Sequence, residues 1–118
     1  MRRGEVFDAR LDPVEGSEQA GIRPVIVISR DAINEASPVV VVVPCTTFKG
    51  ERRTYPSQVL VRAPEGGLRV DSLVLCEQVR AIAKTRLRSR RGALSRDTMR
   101  RIERAIMITL DLPTPDLL

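Results

Sequence analysis

Five consecutive valines, Val39 to Val43, lie between two prolines in the first half of the chain. β-branched side chains favour extended backbone, and a run that is apolar at every position has no face suited to water. We therefore expect Val39–Val43 to form a strand that is buried on both sides. The stretch Val25–Ser29 begins with four apolar residues and has the same character. Two such strands indicate a mainly β fold.

Shorter apolar patterns predict the remaining strands. Some of these segments alternate between apolar and polar residues, and others are brief apolar runs bounded by glycine or proline. They are Val6–Leu11, Ser57–Arg62, Leu68–Val70, Leu73–Cys76 and Val79–Ile82. Strands with turn signals between them, closed by one helix, predict a small, partly open β-barrel with a C-terminal helix.

Helices and loops follow from the rest of the pattern. Arg30–Glu35 has room for one helical turn, and Ser95 is a natural N-cap for a terminal helix. That helix should pack by one face, with Met99, Ile102, Ile106 and Leu110 at helical spacing. Lys49–Pro56 is polar and reads as a flexible loop. The arginine-rich segment Lys84–Gly92 reads more readily as a solvated loop than as a specific RNA site.

Chain length, apolar runs and cysteine content limit the class of protein. With 118 residues the chain is expected to be one domain, residues 1–118. Its longest apolar run is too short to cross a bilayer, and its N-terminal residues do not resemble a signal peptide, so a cytoplasmic protein is expected. Cys45 and Cys76 lie in apolar surroundings and are expected to be reduced core thiols.

The sequence contains no histidine. This excludes Ser-His-Asp, Cys-His and paired-histidine nuclease chemistry, and it disfavours a zinc site. The net charge is +5, and of the 20 basic residues only Lys49 and Lys84 are lysine. Arginine is the planar, bidentate partner of phosphate, so a polyanionic ligand fits the composition, although charge alone does not decide for nucleic acid.

The best functional lead is the stretch Gly16–Pro24, which enters the second apolar run. Its glycines permit turn conformations, while Pro24 holds Arg23 in an extended conformation at the entrance of a buried strand. The valine run similarly ends in Pro44-Cys45-Thr46-Thr47, which places two hydroxyl groups at a strand exit. From the residues alone, Arg23 can equally well pair with Glu77 or Asp71, and the threonines can simply reflect β propensity.

Three blocks together carry a family resemblance: Gly16–Val25, Val43–Thr47 and Asp71–Ile82. In this order and spacing they resemble the MazF/PemK toxins, the mRNA interferases of type II toxin–antitoxin systems. The resemblance extends over nearly the whole chain, from Arg3-Gly4-Glu5-Val6 to the terminal helix. It implies an SH3-like barrel that forms a homodimer, cleaves single-stranded RNA without metal or other cofactor, and is silenced by an antitoxin with an acidic, flexible tail.

The resemblance also assigns site residues. Arg23 and Thr46 match the catalytic arginine and threonine of the family, and Glu18 matches its loop glutamate. Candidate RNA-binding residues are Ser17, Gln19, Thr47, Lys49, Arg52, Arg53, Glu77 and Gln78. A guanidinium must lose a proton to act as a base, at a cost of about 7–9 kcal/mol at pH 7, so a carboxylate such as Glu18 is the less costly base. Two alternatives stay open: Glu18 can be an ordinary loop residue, and Glu77-Gln78 can be a structural pair.

A second class of function also stays open: a non-catalytic SH3-like barrel that binds RNA or a protein such as a topoisomerase. Fold alone does not separate the two classes. Phe7, Phe48 and Tyr55 are the only aromatic residues, which are too few for the stacking platforms of general single-strand binders. A toxin that has lost its activity is a third reading, against which the intact Arg23 and Thr46 argue.

Overall fold

The computed structural model describes residues 1–50 and 54–113. Within these ranges the chain forms seven strands, two α-helices and three short 3₁₀ turns. The strands are β1 Glu5–Arg10, β2 Ile22–Val27, β3 Val39–Thr47, β4 Gln58–Val61, β5 Ser72–Leu75, β6 Arg80–Ala83 and β7 Leu87–Ala93. The α-helices are α1 Asp31–Ala36 and α2 Arg96–Leu110, and the 3₁₀ turns are Glu65–Gly67, Cys76–Gln78 and Lys84–Arg86.

All strand pairs are antiparallel, and β3 is the centre of the sheet. The order is β4-β5-β3-β2-β1-β7, with β6 added to β3. β3 pairs with β6 over Val39–Val42, with β2 over Val42–Pro44, and with β5 over Cys45–Thr47. Among the described residues the end strands β4 and β7 do not pair with each other, so the sheet is not closed. The predicted class, a mainly β, partly open fold with a C-terminal helix, is confirmed.

Apolar side chains fill two layers on opposite faces of the central strands. Val43 packs in the first layer with Met99 and Ile102 of α2. Val40 and Val42 pack in the second layer with residues of β1, β2 and β6. Because side chains alternate along a strand, the neighbours Val42 and Val43 enter different layers, which explains why adjacent positions of the run are apolar. Burial is incomplete at its start, since Val39 is 40% exposed.

The terminal helix begins where the sequence predicts. Ser95 is the N-cap, and its side-chain oxygen accepts a hydrogen bond from the backbone N–H of Thr98 at 3.1 Å. Met99 and Ile102 are buried and Ile106 packs partly against the first layer. Leu110 was expected on the packed face but is 52% exposed. The buried stripe ends at Ala105, so the last turn of α2 lies outside the apolar layer.

Two strand predictions in the middle of the chain are wrong. β3 does not end at Val43 but continues through Pro44 to Thr47. Pro44 forms the last pair with β2, opposite Val25, and Cys45 forms the first pair with β5, so the proline lies where the strand changes partner. Leu68–Val70 is not a strand. Leu68 instead closes the 3₁₀ turn through its N–H bond to Glu65, and the glycines of that turn pack against β7.

The segment Lys84–Gly92 was expected to be a solvated loop, and this prediction is also wrong. Most of it forms the edge strand β7, which pairs with β1. Two of its arginines are neutralised there, because Arg90 bonds to Glu5 and Arg91 bonds to Asp8. An edge strand has an exposed face that tolerates arginine, so charge density alone does not exclude a strand at this position.

Candidate active site

Arg23 and Thr46 lie close in sequence to the point where β2 and β3 separate. Val25 pairs with Pro44 in the last ladder position between these strands. Arg23 and Thr46 each lie two residues beyond that pair, at the point where β3 leaves β2 and pairs with β5. Residues two apart along a strand share a face, and both are half-buried. The strand ends therefore present a guanidinium and a hydroxyl on one face of the sheet.

Arg23 is held by backbone rather than by a carboxylate. Its Nε donates to the carbonyl oxygen of Ala20 at 3.1 Å. Within residues 1–50 and 54–113, Arg23 forms no ion pair. The remaining guanidinium donors can therefore bind an anionic ligand.

The alternative in which Arg23 pairs with Asp71 or Glu77 is wrong. Asp71 accepts hydrogen bonds from Arg62 at 2.8 Å and from the Ala63 N–H at 2.9 Å. These bonds hold the pKa of the Asp71 carboxyl below its usual value. Glu77 instead accepts a hydrogen bond from Gln58 Nε2 at 2.8 Å.

Gln78 holds the loop that carries Glu18. Its Oε1 accepts the backbone N–H of Gln19 at 2.8 Å, and its Nε2 donates to the carbonyl oxygen of Ser17 at 3.3 Å. The two bonds lie on either side of Glu18 in the sequence. At the base of the same loop, Asp12 Oδ2 accepts the N–H of Gly21 at 3.0 Å. Gly21 has a positive φ of 74° there, which suits glycine.

A cleft of about 350 Å³ lies beside this loop. It brings together four of the predicted site residues and one that the sequence reasoning missed, Arg80, whose Nη1 donates to the carbonyl oxygen of Leu11 at 3.3 Å. The register of β6 opposite β3 pairs Arg80 with Val42, so the alternation within Val79–Ile82 was the available signal. The lining consists of Leu11, Glu18, Gln19, Pro44, Glu77, Gln78, Val79 and Arg80.

The other predicted residues lie outside that lining. Arg23 and Thr46 do not line the cleft. Pro44, which does, lies two residues before Thr46 and pairs with Val25 of β2. Ser17, Thr47 and Lys49 are exposed. Arg52 and Arg53 lie outside the described residues, as does Glu51 of the predicted loop. The candidate site therefore comprises the cleft and the strand ends that carry Arg23 and Thr46, with Pro44 in both.

The two cysteines are core residues, as predicted. Both are free thiols, and each is almost completely buried. Burial raises the pKa of the Cys45 thiol to about 12 and that of the Cys76 thiol to about 12. A thiol with such a pKa is protonated at neutral pH, so Cys45 is not a nucleophile although it adjoins Thr46. In the part of the chain that the structure describes, no cluster of three His, Cys, Asp or Glu could hold a metal ion.

With the RNA cleavage that the family resemblance implies as the readout, we expect Gln78→Ala to lower kcat about tenfold, because removing two hydrogen bonds worth roughly 1 kcal/mol each frees the loop that carries Glu18. KM should change little, since the Gln78 amide is occupied by the loop. Single-turnover and steady-state cleavage rates measure the two effects separately.

The matched variant is Gln78→Glu, which keeps the acceptor for the Gln19 N–H but lacks the donor to Ser17. It should lose less activity than Gln78→Ala. A raised KM with unchanged kcat would instead make Gln78 an RNA-contacting residue, the role expected for it from the sequence.

Comparison with known proteins places this chain in a family. A model described as "PemK-like, MazF-like toxin of type II toxin-antitoxin system" matches residues 2–110. The chain belongs to this toxin family. It is 41% identical over 114 residues to Endoribonuclease MazF of Staphylococcus saprophyticus, covering 97% of this chain and 94% of that protein. The expected activity of the family, a toxin endoribonuclease, is thereby confirmed for this chain.

Solved structures agree with this assignment. One is an endoribonuclease in complex with its cognate antitoxin from a Mycobacterial species, with 28% identity and a TM-score of 0.80 over 98% of this chain and 99% of that chain. MazF from Deinococcus radiodurans superposes with a TM-score of 0.81 at 23% identity, over 95% of this chain and 97% of that chain, and shares the fold. Among the described residues we find no helix with the length and apolarity that a bilayer crossing requires.

Proposed function

We propose that this toxin endoribonuclease cleaves single-stranded RNA at short specific sequences and without a metal ion. The nucleophile is the 2′-hydroxyl beside the scissile phosphate, and the products carry 2′,3′-cyclic phosphate and 5′-hydroxyl ends. The observation that supports this most directly is the placement of Arg23 and Thr46 on one face, two residues beyond the Val25–Pro44 pair, next to the cleft that Glu18 lines.

Arg23 is the phosphate clamp in this proposal. A guanidinium donates two parallel hydrogen bonds to a phosphate, and its charge acts more strongly where water is partly excluded. In this proposal Arg23 also protonates the leaving 5′-oxygen. Its Nε bond to Ala20 fixes the guanidinium before RNA binds, and a preorganised donor is the kind that stabilises a transition state.

Glu18, directly or through a water, removes the proton of the 2′-hydroxyl. Carboxylates are ionised at neutral pH, whereas deprotonating a guanidinium costs about 7–9 kcal/mol. The bonds from Gln78 to residues 17 and 19 limit the positions that Glu18 can take. Thr46 completes the site by donating its hydroxyl to a non-bridging oxygen of the phosphorane.

RNA contacts beyond the scissile phosphate come from the cleft and its rim. The cleft lining is rich in acceptors, because it includes the carboxylates of Glu18 and Glu77 and the buried Gln19 Oε1, which has no partner among the described residues. Such acceptors suit the amino groups on base edges. The remaining proposed contacts are Ser17, Thr47, Lys49, Arg52 and Arg53, whereas Gln78, an RNA-binding candidate from the sequence, acts in this proposal by holding the loop of Glu18.

The partners of the chain are proposed from the family. A cognate antitoxin with an acidic, flexible tail occupies the RNA groove, in line with the Mycobacterial relative that is described in complex with its antitoxin. The toxin acts in the cytoplasm, as one domain per chain and as a homodimer. Ile108, Leu110 and Leu112 are each at least 44% exposed, and this apolar surface is available for the dimer interface.

The test is incubation of the purified protein with a long single-stranded RNA in EDTA, followed by mapping of the cut ends and their phosphate chemistry. We expect discrete cuts with 2′,3′-cyclic phosphate ends. DNA of the same sequence should stay intact because it has no 2′-hydroxyl. Cleavage that needs a divalent cation, or 5′-phosphate products, would contradict the proposed mechanism.

A further inference from the structure

Positive charge is unevenly neutralised along the edge formed by β1 and β7. At one end, Arg90 bonds to Glu5, and Arg91 Nε donates to Asp8 Oδ1 at 2.6 Å. At the other end, Arg10, Arg86 and Arg88 form no ion pair with any carboxylate that the structure describes. The uncompensated charge is therefore concentrated where this edge meets the loop of Glu18.

These three arginines line a second cleft of about 340 Å³, together with Thr85 and Asp12. Backbone carbonyls orient two of them. Arg86 Nη1 donates to the carbonyl oxygens of Arg10, at 3.1 Å, and Asp12, and Arg88 Nη1 donates to that of Thr85 at 3.4 Å. Each guanidinium has five N–H donors, so most remain available.

Asp12 is the one carboxylate among the described residues of the lining, and it is already engaged. Its Oδ2 accepts the N–H of Gly21 at 3.0 Å, which closes the loop of Glu18. The cleft thus presents three guanidinium groups against one carboxylate that serves the loop. Arg10 has no hydrogen bond from its side chain among the described residues, and both Arg10 and Arg88 are exposed.

We propose that this second cleft binds a backbone phosphate of the RNA, one that is not the phosphate being cleaved. The inference rests on the proposed function. Arg10 pairs with Ile22, and the preceding residue, Ala9, pairs with Arg23. Because side chains alternate, Arg10 and Arg23 face opposite sides of the β1–β2 ladder, so one phosphate cannot contact both. An RNA strand that passes Arg23 and continues around this edge brings a neighbouring phosphate to Arg10 and Arg88.

A phosphate contact of this kind has a measurable signature. Each phosphate neutralised on a single strand contributes about −0.7 to the slope of log K against log salt concentration. Such a contact adds affinity without sequence preference, and it requires RNA that extends beyond the cleavage site. It should therefore alter KM for long RNA and leave kcat unchanged.

The experiment compares Arg10→Ala, Arg88→Ala and the control Arg100→Ala, which removes the same charge from the exposed surface of α2. Binding is measured by fluorescence anisotropy across salt concentrations, using RNA with a 2′-deoxy sugar at the cleavage site. One RNA is trimmed to the mapped cleavage site, and two others extend it by several nucleotides on the 5′ or the 3′ side. Arg88→Lys tests whether charge alone restores binding.

We expect Arg10→Ala and Arg88→Ala to weaken binding of one extended RNA about three- to tenfold, with a salt slope smaller by about 0.7. Trimmed RNA and the control variant should show no change. The proposal is overturned if the control has the same effect or if trimmed RNA loses affinity equally. Polyglutamate serves as an acidic peptide for comparison. Variants that lose affinity for polyglutamate while RNA binding is unchanged would also overturn the proposal. Failure of the proposed function would appear differently, as wild-type protein that does not cleave RNA.

Discussion

Replacing Arg23 with alanine is expected to lower the rate of RNA cleavage about 10³-fold, the upper range for removing one preorganised donor at a transition state. The guanidinium supplies both charge and paired donors to the phosphorane, a combination that alanine cannot replace. The fold should be retained, because the substitution removes only the bond to Ala20, worth about 1 kcal/mol. Single-turnover cleavage and thermal unfolding measure the two effects.

Arg23→Lys separates the charge of Arg23 from its geometry. Lysine keeps the cation but lacks the planar pair of donors, so we expect it to recover only part of the lost rate. Arg100→Ala on α2 is the control for loss of one positive charge. Cleavage by Arg23→Ala within about threefold of wild type, with the protein folded, would remove Arg23 from the active site and leave the cleft as the remaining candidate.

The sequence was most informative where burial determines residue type. The valines of β3 and the N-cap Ser95 are visible in one sequence because each follows from a local rule of strand or helix formation. The full length of β3 could not be predicted from the sequence, because Pro44 is accommodated where the strand changes partner from β2 to β5. β7 was missed for a related reason, since its arginines are compensated by Glu5 and Asp8, about 80 residues earlier in the chain.

The same division applies to the candidate site. Arg23 was identified because glycine and proline shape the backbone around it, and Thr46 because it follows the buried valine run. The part played by Gln78 was not predictable, because its amide bonds to residues 17 and 19 join segments about 60 residues apart. Long-range side-chain contacts of this kind leave no periodic signal in a sequence.

Thr46→Val is expected to lower the cleavage rate about 10²-fold, which is the lower range for loss of one transition-state donor. Valine keeps the β-branched shape that suits a strand, and Thr46 is paired with Leu73 of β5 through backbone. The substitution therefore removes the hydroxyl and little else, so KM should stay nearly constant while kcat falls. Initial rates over a range of RNA concentrations distinguish the two parameters.

Thr46→Ser and Thr47→Val are the matched variants. Serine restores a hydroxyl at position 46 and should recover most of the rate, whereas Thr47 lies on the opposite face of β3 and its replacement should cost little in kcat. This contrast tests the register argument itself, because adjacent threonines differ only in the face they occupy. If Thr47→Val lost more kcat than Thr46→Val, β3 would present the other face to the scissile phosphate, and the pairing of Arg23 with Thr46 would have to be abandoned.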